Sequence, residues 1–180
     1  MLIQMRSLVG EALVDFAKDW LYGKTNLLGV EIGSYAGEST EIFLKSNAFK
    51  TFYCIDPWEM HYDPNDVAGE SDGIYLAEKC FDKKFENNPI VKKLKMKSFD
   101  AIKSFELESI DFLYIDGNHR YEAVKSDLIN YYPRVKKGGI ISGHDYEFEG
   151  TPDVKKAVDE FFKKPPLKKY ADHSWLYIKE

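Results

Sequence analysis

Four short apolar runs in this chain each stop abruptly at polar residues able to do chemistry. They are residues 27–32, which carry Glu31 and stop at Gly33; residues 51–55, stopped by Asp56-Pro57; residues 110–115, stopped by Asp116-Gly117; and residues 140–143, stopped by His144-Asp145. Runs this short that are mainly apolar, rather than alternating, belong to strands buried on both faces, the condition of a parallel sheet covered by helices. Helical spacing fills the gaps. Leu8, Ala12, Leu13, Phe16 and Trp20 share one face of a first helix, capped by Ser7 and ended by Gly23, and residues 38–46 read as a second. Ile74, Ala77, Phe81 and Phe85 recur at helical spacing, and residues 120–132 and 152–162 complete the set. Residues 91–96 give a lysine-rich strand, residues 170–178 a final strand around Trp175 and Tyr177, and Pro133 with residues 136–139 a turn. Strands alternating with helices predict an α/β fold, a Rossmann-like doubly wound sheet, mostly parallel, with helices on both faces.

A length of 180 residues fits one domain over 1–180, with residues 1–24 as an amino-terminal helix and 58–73 as a lid-like loop rich in Asp, Asn, Pro and Gly. Hydrophobic content of 44% and charged content of 31% exclude a disordered chain. The net charge of −5 gives no basic excess of the kind a nucleic-acid partner requires. No run approaches the roughly 18 apolar residues that span a bilayer, and Glu11, Asp15, Lys18 and Asp19 interrupt any leader-like segment, so no membrane partner and a cytoplasmic protein are expected. Cys54 and Cys80 read as reduced packing residues. A homo-oligomer is compatible with this composition and not demanded by it.

In open parallel sheets ligands bind outside the carboxyl ends of the strands, so the strand-ending residues are the ones to weigh. Glu31-x-Gly33-x-x-x-Gly37 ends a strand and opens a helix, with Ser34 inside the turn; the glycines let backbone approach a ligand, or simply make a tight turn. Asp56, one strand over, is placed to accept both hydroxyls of a ribose, which suggests a nucleoside-containing cofactor. The pattern is not the dinucleotide fingerprint, since position 35 is Tyr35 where Gly-x-Gly-x-x-Gly needs glycine.

Asp116 and Asp145 end separate strands. If those strands are neighbours, roughly 4.8 Å apart, the two carboxylates repel unless a proton or cation intervenes, and oxygen ligands of this kind suit Mg²⁺, Ca²⁺ or Mn²⁺. His119, three residues after Asp116, is placed to abstract a proton near neutrality. Strand alternation turns His144 away from Asp145, leaving it a ligand, a substrate contact or structural. In the loop, His61, with Glu59, Asp63 and Asp66 nearby, could close over substrate or add a metal ligand, but reads chiefly as an exposed mobile segment.

The E-x-G-x-x-x-G turn resembles the first motif of class I S-adenosylmethionine-dependent methyltransferases. Asp116-Gly117-x-His119, a following helix with Asp127, and Lys-Lys-Gly-Gly-Ile-Ile-Ser-Gly-His-Asp-Tyr over 136–146 are similar to the small metal-dependent O-methyltransferase family related to macrolide-sugar and catechol-type enzymes. That resemblance, over roughly 27–146, implies a seven-stranded sheet with its last strand antiparallel, although a strand before the final one has little room here. It implies S-adenosylmethionine as cofactor, held by Glu31, Gly33, Ser34, Gly37, Asp56, Ser98 and Asp116. It further implies a divalent cation, Mg²⁺ by expectation, on Asp116, His144 and Asp145, with His119 as catalytic base and a hydroxyl of a sugar or other small molecule as acceptor. The alternatives are a metal-dependent phosphoesterase, whose opening Asp-x-His pair this chain lacks, and a non-catalytic cofactor-binding module.

Overall fold

A computed structural model describes residues 2–63 and 73–180, with side chains from residue 10 onward; residues 64–72 of the expected loop, including Asp66, and the side chains of Ser7 and Leu8 lie outside that description. The elements run α1 (Leu2–Trp20), β1 (Leu27–Ile32), α2 (Glu38–Leu44), β2 (Phe49–Asp56), α3 (Gly73–Phe85), β3 (Val91–Lys95), a single turn α4 (Ser98–Ala101), β4 (Ile110–Ile115), α5 (Tyr121–Tyr131), β5 (Val135–Gly143), α6 (Pro152–Phe162), β6 (Lys168–Lys169) and β7 (Trp175–Ile178). They form one seven-stranded sheet in the order β3-β2-β1-β4-β5-β7-β6. Pairing is parallel from β3 through β5, and β7 runs antiparallel to β5. This is the class I methyltransferase arrangement of strands.

Alternate residues of each strand feed two separate cores. Val30, Ile32, Leu113, Ile115 and Ile141 pack with Val124, Leu128 and Tyr131 of α5 and Val154, Ala157 and Val158 of α6. Phe52, Cys54, Phe112 and Tyr114 face the other way, onto Leu13 and Phe16 of α1, Phe43 of α2 and Phe81 of α3. Both faces of the sheet are thereby covered, which is why its central strands carry apolar residues at successive positions. The strand order reverses at β1 and β4, and the crevice beyond their carboxyl ends is where such a sheet binds ligands.

Three sequence expectations are corrected. The first helix starts at Leu2, so Ser7 is inside it rather than capping it. Residues 136–139 are strand, not turn: β5 begins at Val135 and absorbs its glycines through a register shift against β4, with Gly138 at φ 76°. The tail does have room for a penultimate strand, the two residues of β6, held by pairing to Leu176 and Trp175. No helix among the described residues is long and apolar enough to cross a membrane.

Candidate functional site

The glycine turn after β1 is shaped by contacts within the protein. Gly33 has φ +88°, and a Cβ there would lie 1.9 Å from the Asp116 carbonyl oxygen, so glycine lets the ends of β1 and β4 meet. Their backbones are tied by Asp116 N donating to Ile32 O at 2.8 Å. Gly37, also at positive φ, lies against the Phe85 ring. Of the two glycines, Gly33 lines the cavity beyond the strand ends.

That cavity, about 280 Å³, opens at the switch point and is lined by Gly33, Tyr35, Asp56, Tyr62, Asp63, Ser98, Asp116, His119 and Asp127, among others. Asp56 is held on its wall by two backbone amides: Tyr35 N donates to Oδ2 at 2.9 Å and Trp58 N to Oδ1 at 2.7 Å. Ser98 Oγ donates to Asp127 Oδ1 at 2.6 Å, and burial raises the Asp127 carboxyl to about 7 despite that bond.

Glu31, Ser34 and Gly37 do not line it. Strand alternation turns Glu31 onto the α2 side of the sheet, where it is wholly buried and accepts hydrogen bonds from Ser34 Oγ at 2.9 Å, Ser39 Oγ at 2.6 Å and Thr40 Oγ1. Burial raises its pKa to about 7, although those three hydroxyls favour the charged form. The sign of the pH effect follows. The folded chain keeps a proton that the unfolded chain loses near pH 4.5, so this contribution to stability is complete below pH 4.5 and is lost as pH rises through 7. The loss is on the order of 3 kcal/mol. Urea midpoints across pH 4–8 should therefore fall more steeply for the wild type than for Glu31→Gln; parallel curves would refute the assignment.

Beside the cavity, Asp116, His144 and Asp145 each offer a ligand atom, all within 4.8 Å of one another. His144 Nδ1 is 3.2 Å from Asp145 Oδ2 and 4.0 Å from Asp116 Oδ1. The expectation that alternation turns His144 away from Asp145 fails because Asp145 takes φ +62°, ending the extended backbone and folding both side chains to one side. Burial and the Asp145 charge raise the Asp116 carboxyl above its ordinary range, against the pull of the two histidines. Burial pushes Asp145 the same way, but hydrogen bonds from His119 and His144 outweigh it and hold that carboxyl well below the usual range.

His119 joins the cluster. Its Nε2 is 3.0 Å from Asp145 Oδ2 and 3.9 Å from Asp116 Oδ1, and its Nδ1 is 2.7 Å from Asp63 Oδ2. Burial alone would lower its pKa, but Asp145, Asp63 and Asp116 together raise it to about 10. In this environment the three carboxylates favour the charged imidazole over the neutral one. Asp63, expected on an exposed segment, is buried; its Oδ2 also accepts the His119 amide at 2.7 Å, and Asn118 Nδ2 donates to Tyr62 O. Sequence reasoning also missed Asp172, whose buried carboxylate lies 3.9 Å from His144 Nε2.

A model of the methyltransferase-domain family matches residues 30–146. The uncharacterized protein R132 of Acanthamoeba polyphaga mimivirus is 29% identical over 162 residues, 87% of this chain and 69% of that protein. Among solved structures, the O-methyltransferase NovP superposes with a TM-score of 0.61 at 19% identity, over 98% of this chain and 79% of its own. The SAH-bound methyltransferase PaMTH1 of Podospora anserina gives 0.62 at 15%, over 95% and 78%. At these identities the solved structures speak for the fold.

Proposed function

The chain belongs to the methyltransferase-domain family and is a class I S-adenosylmethionine-dependent methyltransferase, and from that premise we propose that it methylates a hydroxyl oxygen of a sugar or similar small molecule with help from a divalent cation. The observation that carries the finer reading is the convergence of Asp116, His144 and Asp145 beside a cavity whose far wall presents Asp56. Neighbouring ligands of an octahedral ion at about 2.1 Å stand about 3 Å apart, which the 3.2 Å and 4.0 Å separations approach.

When bound, S-adenosylmethionine supplies an electrophilic methyl on its sulfonium, and a divalent cation supplies charge that stabilises a developing alkoxide and offsets the surrounding carboxylates. The protein's part is alignment and proton transfer. Asp56, held on the cavity wall by two amides, would accept the ribose hydroxyls. Ser98 and Asp127, hydrogen-bonded to each other on the cavity wall, would flank the cofactor's adenine. Gly33 and Asp116, which line the cavity, would hold the methyl donor beside the cation's ligands, and Glu31 with Ser34 fixes the turn from behind. His119, oriented through Nδ1 by Asp63, takes the acceptor's proton at Nε2 once the charge of Asp116 and Asp145 is offset. Among the described residues one cluster of three such ligand groups is formed, where a two-ion phosphoesterase would require more.

In a thermal-shift series, S-adenosylmethionine and its demethylated product should raise the melting temperature with increasing concentration, while NAD leaves it unchanged. Methyl transfer to polyol acceptors should fall on chelation and return with added divalent cation. Stabilisation by NAD alone would overturn the cofactor assignment, and transfer indifferent to chelation would overturn the cation's role.

A further inference from the structure

The geometry points to a cation site that prefers Mn²⁺ to Mg²⁺ because His144 supplies an imidazole donor, with buried Asp172 as the positioning residue that turns the correct ring nitrogen toward the ion. This rests on the reading of Asp116, His144 and Asp145 as the cation's ligands.

The donor set decides the preference. Mg²⁺ and Ca²⁺ are hard ions that take oxygen ligands and retain water, whereas imidazole nitrogen favours first-row transition ions. Two carboxylates and one imidazole form a mixed set, to which Mn²⁺ is suited by its oxygen affinity and its tolerance of nitrogen.

The second half rests on the other ring nitrogen. His144 Nδ1 faces Asp145 and Asp116, while Nε2 is buried with no hydrogen-bond partner. The carboxylate facing that orphaned nitrogen is Asp172 Oδ2, at 3.9 Å. Asp172 has no side-chain exposure and is anchored, accepting from Ser174 N and Ser174 Oγ at 3.0 Å each, with Ser174 Oγ in turn 3.1 Å from the Tyr114 hydroxyl. Trp175 Nε1 donates to the His144 carbonyl at 3.1 Å, fixing the backbone under the ring. A negative charge opposite Nε2 favours the tautomer with the proton there, which leaves the Nδ1 lone pair for the ion; ligating histidines commonly have a carboxylate in this position.

The test uses the metal-free full-length chain and reads free Mn²⁺ by electron paramagnetic resonance, with Mg²⁺ as competitor. Wild type should bind Mn²⁺ at least about tenfold more tightly than Mg²⁺, and His144→Asp, which makes the donor set all oxygen, should shrink that ratio. Asp172→Asn keeps an acceptor for the Ser174 amide but removes the charge. It should weaken Mn²⁺ binding by about 10- to 100-fold while leaving the metal-free melting temperature unchanged, which a merely structural role would not do. Equal Mn²⁺ and Mg²⁺ affinities, or a ratio unmoved in His144→Asp, would overturn the preference while leaving the cation site standing. Unaltered Mn²⁺ binding in Asp172→Asn would overturn the role of Asp172. Binding of neither ion would remove the cation reading altogether.

Discussion

Replacing Gly33 by alanine should destabilise the fold by about 3 kcal/mol or more. The new Cβ would lie 1.9 Å from the Asp116 carbonyl oxygen and 2.4 Å from its carbonyl carbon, which are backbone atoms that no rotamer change can move. The positive φ of 88° adds conformational strain for any L side chain. Relief requires the ends of β1 and β4 to separate, breaking the bond from Asp116 N to Ile32 O and displacing Gly33 N from Ile55 O, both 2.8 Å. The same movement opens the cavity wall, so whatever folded protein remains should bind S-adenosylmethionine poorly. Gly10 in α1 is the control, because a Cβ there meets nothing within 4 Å, and Gly10→Ala should be neutral or stabilising by up to about 1 kcal/mol. Equilibrium urea unfolding of both variants is the measurement. A loss below about 1 kcal/mol at Gly33 would show that β1 and β4 can part cheaply, contrary to this packing.

The difference between those two glycines illustrates what local sequence carries. β1, β4 and α6 fall where periodicity places them, because an apolar run stopped by a glycine turn or a charged residue, or a proline opening an amphipathic stretch, states its own boundaries. The start of β5 was hidden because Lys136-Lys137-Gly138-Gly139 has turn composition; Val135 is held by pairing with Ile110 of β4, and Gly138 and Gly139 by backbone hydrogen bonds with Lys179. β6 consists of two lysines and exists through pairing with β7, a long-range fact. The site divides in the same way. Asp56, Asp116, His119 and Asp145 were legible because they end strands or follow one closely. Asp63 and Asp172 come from loops, and nothing near them in the sequence says that one meets His119 and the other His144. Glu31 was legible as important but not in its orientation. The hydroxyls of Ser34, Ser39 and Thr40, crowded just after it, were the available signal that its partners would be protein groups.

Asparagine at Asp145 should remove cation-stimulated turnover while leaving cofactor affinity within about twofold of wild type. The separation follows from position: Asp116 lines the cavity and serves both sides of the site, whereas Asp145 is not among the cavity's lining residues and faces the two histidines. Its Oδ2 lies 3.0 Å from His119 Nε2 and 3.2 Å from His144 Nδ1, so the amide deletes one anionic ligand and the carboxylate nearest His119 Nε2 in a single step. Without this ligand the cation whose charge would stabilise the developing alkoxide is lost, an electrostatic contribution worth about 10²- to 10³-fold in turnover, and the loss here should be at the upper end because alignment of His119 is affected as well. Asp116→Asn should instead impair both cofactor binding and turnover. Calorimetric titration with S-adenosylmethionine, alongside methyl-transfer rates at saturating Mn²⁺ and Mg²⁺, separates the two effects. If Asp145→Asn kept its rate and its sensitivity to chelation, the cation would have to be held elsewhere, and Asp116 with His144 would revert to a buried polar cluster that steadies the ends of β4 and β5.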